Sequence, residues 1–224
     1  MTLLATIVVL ALLGAMVAAV FYVSQSPRCR QIKQFCQENR FEFQRLVALD
    51  KDVRTATFNL FTQGEIKHAE NQIFGSWQGR TFKCLDYSVL TKHGPVAQSA
   101  LIVSCELSQA GSLCITRQPQ NHRDAFTEAN TASTDARQSL HDTLLPSEIN
   151  GYKMEAGSPV ALQAMLGTEL KNWLEQHPGA VIEHSNHLLL IYRESYLLSP
   201  TSILQALEAA VRLAELLEGS GPKS

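Results

Sequence analysis

Residues 73–106 read IFGSWQGRTFKCLDYSVLTKHGPVAQSALIVSCE, and the fold turns on how this stretch is parsed. Ile73 to Trp77, Thr81 to Leu90 and Val96 to Glu106 are rich in β-branched and aromatic residues. Glycines at positions 75 and 79 and then His93-Gly94-Pro95 supply the turns between them. Leu113 to Arg117 is a further run of the same kind, set off by Gln109 to Ser112 with its Gly111. Connections this short make neighbouring strands antiparallel, because a parallel return needs a crossover of about a dozen residues. The stretch predicts a meander, with Trp77, Phe82 and Tyr87 filling one face of the sheet.

Outward from this core the punctuation is helical. Ser26-Pro27 has the form of a cap followed by proline at the first helical position, and Cys29, Ile32, Phe35 and Cys36 recur at helical spacing. This helix is expected to reach Glu38, with Asn39 in the left-handed position beyond it and Phe41 and Phe43 alternating as in a half-buried strand. Toward the C-terminus, a strand over Ile149 to Glu155 leads to Ser158-Pro159 and a helix carrying Leu162, Met165, Leu166, Leu170, Trp173 and Leu174, stopped by His177-Pro178-Gly179. Ala180 to Arg193 reads as a hairpin turning at Ser185-Asn186. Its second arm, Leu188 to Ile191, is apolar on both faces and so belongs inside a covered sheet. Ser199-Pro200 opens a last helix whose stripe runs through Ile203, Leu207, Ala210, Val211, Ala214 and Leu217 and which ends at Gly219.

Together these elements define an α+β domain: an antiparallel sheet, meander plus C-terminal hairpin, covered by two or three helices. It occupies residues 26–218, with a polar, irregular and mobile insertion at 118–147 and a short tail at 219–224.

Leu3 to Val23 contains no charged side chain. At helical rise it covers roughly 30 Å, the thickness of a bilayer's hydrocarbon core. Residues 1–25 are therefore expected to be an uncleaved transmembrane anchor, because no basic start precedes the run, no Ala-x-Ala lies within it, and Ser24-Gln25-Ser26, though small at the right spacing, is followed at once by Pro27. Arg28, Arg30 and Lys33 follow it directly, which by the positive-inside rule puts the domain in the cytoplasm, at the inner face of the plasma membrane. Five cysteines without a C-x-x-C pair agree with a reducing compartment. Small residues four apart, such as Gly14 and Ala18, leave a homo-oligomer open.

Charge and motifs exclude more than they assign. A formal net charge of −2, with no long run of either sign, gives no nucleic-acid footprint. No phosphate-binding glycine loop, nucleophile elbow or H-E-x-x-H pair occurs, so neither catalytic residues, a cofactor nor a metal is expected. His184 and His187 flank the proposed hairpin turn beside Glu183, where the weak alternative of a surface metal site is set aside for want of a third ligand. The densest cluster of distinctive side chains is Trp77 and Arg80, followed by Asp86 and Tyr87, and these are the candidate ligand or partner residues.

The order Phe61, Gly64, Asn71, Gly75, Gly79, Phe82, Asp86-Tyr87, Asn150 and Tyr152, with the closing hairpin and helix, resembles an uncharacterised family of bacterial membrane-anchored proteins over roughly Phe35 to Leu217. Ser76-Trp77-Gln78 departs from the Gly-x-Tyr-x-Gly turn of that pattern. The resemblance implies an anchor and an α+β domain and carries over no active residues. The expected function is a non-enzymatic interaction or scaffold module with an unidentified protein partner. The alternatives are a small-ligand or lipid-head-group sensor built on the Trp77–Arg80 turn, a hydrolase with an unrecognised site, and an envelope-facing domain of opposite topology.

Overall fold

Ser26 begins the first helix among the described residues as its sequence implies. Its Oγ accepts a hydrogen bond from the Cys29 amide at 3.2 Å, and Pro27, whose missing N–H would be unpaired there anyway, leads helix α1 (Pro27–Asn39). The left-handed residue that closes the helix is Arg40, at φ 58°, and not Asn39. Asn39 stays in the last turn because its side chain has a better use: Nδ2 donates to the Phe35 carbonyl at 2.9 Å, one of the carbonyls a helix end leaves open.

The computed structural model describes residues 26–62, 67–91, 94–107, 112–117, 147–149, 151–156 and 167–219. The expected anchor, nearly all of the 118–147 insertion, the first half of the helix opened by Ser158-Pro159 and the tail beyond 219 lie outside them. Among the described residues no helix is long and apolar enough to cross a membrane.

After α1 come β1 (Glu42–Leu46), the short helices α2 (Lys51–Thr55) and α3 (Asn59–Thr62), then β2 (Lys67–Trp77), β3 (Arg80–Thr91), β4 (Gly94–Ser104) and β5 (Leu113–Arg117). They are followed by β6 (Ser147–Ile149), β7 (Tyr152–Ala156), α4 (Thr168–Gln176), β8 (Ala180–Ser185), β9 (Leu188–Arg193), a 3-10 turn over Pro200–Ser202 and α5 (Ile203–Gly219). All the strands join one antiparallel sheet in the order β1-β2-β3-β4-β9-β8-β5-β7-β6. The fold class is therefore α+β, as the patterning predicts.

The meander holds through β4 and fails at the next step. β5 does not pair with β4; the C-terminal hairpin β8–β9 lies between them. The reason is in β9 itself. Leu189 and Leu190 are both fully buried on opposite faces, so the strand belongs in mid-sheet with neighbours on each side, and β4 and β8 provide them. The single strand expected over Ile149 to Glu155 is likewise two, β6 and β7, folded back at Gly151, whose φ of 77° a side-chain-bearing residue rarely adopts.

Both faces of the central strands are covered. On one, Ile73, Phe82, Cys84, Leu101, Val103, Ile182 and Leu189 pack with the apolar stripes of α1, α4 and α5. On the other, Leu85, Tyr87, Ala100, Ile102, Leu190 and Tyr192 pack with Val53, Ala56, Phe58 and Leu60 of the α2–α3 segment. Phe82 and Tyr87 are an odd number of residues apart on one strand, so they face opposite ways, contrary to the single aromatic face expected from sequence.

Candidate functional site

Asp86 sits in the middle of β3, facing α1, with 7% of its surface exposed. A carboxylate placed there must be paired. Arg28 supplies the charge, since it stands four residues before Ile32 on the same stripe of α1 and points into the sheet. Its Nε donates to Asp86 Oδ2 and its Nη2 to Oδ1, both at 2.7 Å. Nη1 donates to the Leu198 carbonyl at 2.9 Å, and Nη2 also reaches Ser99 Oγ at 3.2 Å. Ser99 donates its hydroxyl proton to Asp86 Oδ1 at 2.9 Å and accepts from the Leu198 amide at 2.9 Å.

Asn71 completes the shell. It occupies the bulge where the β2–β3 register shifts between Glu70 and Ile73, at φ 54°, and from there Nδ2 donates to Asp86 Oδ2 at 3.1 Å. Burial alone would lower the Arg28 pKa, but the hydrogen bonds and charge of Asp86 outweigh it and hold the guanidinium above its ordinary value. The helix that follows the expected anchor is thus bolted to β2, β3, β4 and the segment after β9 through one charged, hydrogen-bonded node.

The other sequence candidates lie elsewhere. Arg80 forms a second bidentate pair, Nη1 to Glu218 Oε1 at 2.8 Å and Nη2 to Oε2 at 2.6 Å, and Nη1 also reaches the Ser104 carbonyl at 2.9 Å. The Glu106 amide donates to the same Glu218 carboxylate at 2.8 Å. Hydrogen bonding to Arg80 holds Glu218 below the ordinary glutamate range. Trp77 packs edge-on against Phe41 with ring centroids 6.1 Å apart, and its buried Nε1 has no hydrogen-bond partner among the described residues. Tyr87 is on the opposite face, edge-on to Phe61 at 5.0 Å, and burial pushes its hydroxyl up to about 12. The four candidates therefore do not form one site.

Nor do His184 and Glu183 form the surface cluster that the turn suggested, because both are buried and they point to opposite sides of β8. His184 Nε2 lies 3.1 Å from the Cys105 carbonyl. Glu183 accepts from the amides of Asn59 at 2.6 Å and Leu60 at 3.2 Å and from the Tyr192 hydroxyl at 3.3 Å, holding the start of α3 against the sheet. Among the described residues no three His, Cys, Asp or Glu side chains gather as metal ligands.

An apolar cleft of about 260 Å³ opens between α4, α5 and the sheet, and a more open, polar hollow of about 550 Å³ lies over Gly79, Arg80 and Glu218. Leu101 and Ile191 line the apolar cleft together with Trp173, His177, Ala206 and Ala209. Trp173 stacks on His177 at 4.1 Å and anchors its Nε1 to the Ala209 carbonyl at 3.0 Å. At the edge of the cleft the Arg193 guanidinium lies over the Tyr196 ring, 5.1 Å from its centre.

Sequence reasoning named Asp86 but not its partner, and it read Arg28 only as a flanking positive charge. The signal was present: Arg28 continues the 32–36 stripe toward the N-terminus, and Asp86 interrupts a strand apolar on both faces. Glu183, which follows Ala180-Val181-Ile182, carried the same mark, whereas Glu218 carried none.

No protein-family model matches the chain, and no curated protein matches it. Among solved structures, the crystal structure of the mycobacterial trehalose monomycolate transport factor A, TtfA, is similar, with a TM-score of 0.55 and 10% sequence identity, over 88% of this chain and 95% of that one. The likeness is one of fold.

Proposed function

We propose that this chain is a non-enzymatic interaction module held at the inner face of the plasma membrane by residues 3–23, with its α+β domain fixed against the bilayer. The observation that carries the reading is the Arg28–Asp86 node. Only Ser24 and Gln25 separate the apolar run from Ser26, a span of about 10 Å at full extension. The next turn is then locked to the sheet by a two-point ion pair. A domain so attached has no tether to range on, which suits a protein that presents a surface to other membrane components. A part in transport, the word in the name of the similarly folded mycobacterial factor, is one form such a module takes.

Crosslinking in native membranes, followed by identification of the adducts, tests this. Discrete protein adducts are expected with the full chain. Turnover of a substrate by the purified chain in a broad hydrolase and phosphatase screen, lost in an Asp86→Asn variant that still folds, would replace the module with an enzyme. A C-terminal reporter active only outside the cytoplasm would reverse the orientation.

A second reading, a small-ligand sensor, is favoured by the apolar cleft over the open hollow at the Trp77–Arg80 turn, where the guanidinium is taken up by Glu218. Native mass spectrometry of the intact protein from membranes would then find a bound species that Trp173→Ala loses and Trp77→Ala keeps.

A further inference from the structure

The described residues expose four large hydrophobic side chains, Leu46, Leu90, Tyr196 and Leu197, at 66%, 43%, 42% and 37%. Single exposed leucines mean little on a protein surface. Their placement here does carry information. Leu46 pairs with Glu70, Glu70 with Asp86 and Asp86 with Ser99, and the Ser99 amide donates to the Tyr196 carbonyl at 2.9 Å. Leu46 and Tyr196 are therefore in register with the row of the sheet that receives Arg28. Leu90 lies four residues beyond Asp86 on β3, about 13 Å further from the β2–β3 turn. At the opposite end, the exposed positions of the turns are Gln78, Gly79, Asn186 and His187, and the nearby charges Arg80 and Glu218 answer one another.

The apolar end is also the end where the chain enters the domain. Ser26 caps α1, and the Arg28 side chain two residues on reaches the Leu198 carbonyl, next to Leu197. If residues 3–23 span the bilayer, Ser26 is within about 10 Å of its surface. We propose that this end of the sheet is a second membrane contact, with Tyr196 and Leu197 seated among the lipid head groups beside the anchor. The inference rests on the anchor reading of residues 3–23. A tyrosine ring under an arginine guanidinium presents an apolar body with a polar rim, the kind of group the interfacial region accepts. Of the four exposed side chains, Tyr196 and Leu197 are the adjacent pair, and they stand next to Leu198, whose carbonyl Arg28 reaches from the first turn of α1. The contact is apolar, so salt does not release it.

The test uses the full chain in phosphatidylcholine nanodiscs. Cys114, the cysteine that is not buried, is changed to Ser, and an environment-sensitive fluorophore is attached through Leu197→Cys in one variant and Ser76→Cys in another. Ser76 is exposed near the polar end. A nitroxide carried on the lipid head group is expected to quench the probe at 197 several-fold more than the probe at 76, equally at low and high salt. Equal, weak quenching at both positions in chain that remains in the discs would overturn the membrane contact and leave the anchor standing. Failure of the chain to enter discs or to float with vesicles would overturn the anchor reading, and the contact with it. A probe at 197 shielded in native membranes but not in nanodiscs would assign the surface to a protein partner and so refute the proposal.

Discussion

Asp86 accepts four hydrogen bonds, two from Arg28 and one each from Ser99 and Asn71. Removing it leaves a guanidinium, a hydroxyl and an amide facing an empty acceptor, and breaking a buried pair from one side costs several kcal/mol. Asp86→Ala is expected to lower unfolding free energy by about 3 kcal/mol in urea titrations. Pairing it with Arg28→Met should cost less than the sum of the two single changes, because each variant removes the same contact. The cysteines allow a second measurement. Burial pushes the Cys36 thiol up to about 11 and those of Cys84 and Cys105 up to about 12, so none forms thiolate near neutrality. Alkylation of the folded protein at pH 8, followed by mass spectrometry, should modify the half-buried Cys114 first and those three only after denaturation. At this scale the sequence marks residues out of keeping with their neighbours, such as Asp86 in an apolar strand. It does not name the partner, which in this case is 58 positions away.

Among the elements, the starts of α1 and of the turn leading into α5 were legible because each carries Ser-Pro, a pair whose geometry is local. The hairpin β8–β9 was legible to within a residue, its turn falling at Asn186 and His187, both at positive φ. The start of β2 at Lys67 was not, since the bulge at Asn71 inserts a residue and breaks the alternation on which strand recognition depends. The short helices α2 and α3 are too brief to show a helical period. The closing helix is held at two points that can be tested separately. Leu207 is fully buried against the sheet, and Leu207→Ala is expected to cost about 3 kcal/mol. Glu218 ties the helix end to Arg80 with its carboxyl held below the ordinary range, so its contribution is complete above the unfolded-state pKa and lost as pH falls through the lower folded value. Wild type should therefore exceed Glu218→Gln in thermal stability at neutral pH, and the difference should vanish in acid.

At the scale of the whole molecule, the class of fold could be read but the strand order could not. Every local signal from β2 to β4 favours neighbours in sequence, and nothing nearby announces that β9 will take the place beside β4 that β5 was expected to fill. Only the two-sided apolarity of Leu188 to Ile191 hinted at a central position. A chain ending at Gln176 is therefore expected to leave β4 and β5 with open edges and to be degraded by protease under conditions where the full chain survives. The same insertion sets an order of events during synthesis. The middle of the sheet waits for strands among the last to leave the ribosome, and Arg28 waits 170 positions for the carbonyl of Leu198. Until then α1 has emerged without its seat complete, so this helix and the last third of the chain must reach maturity together.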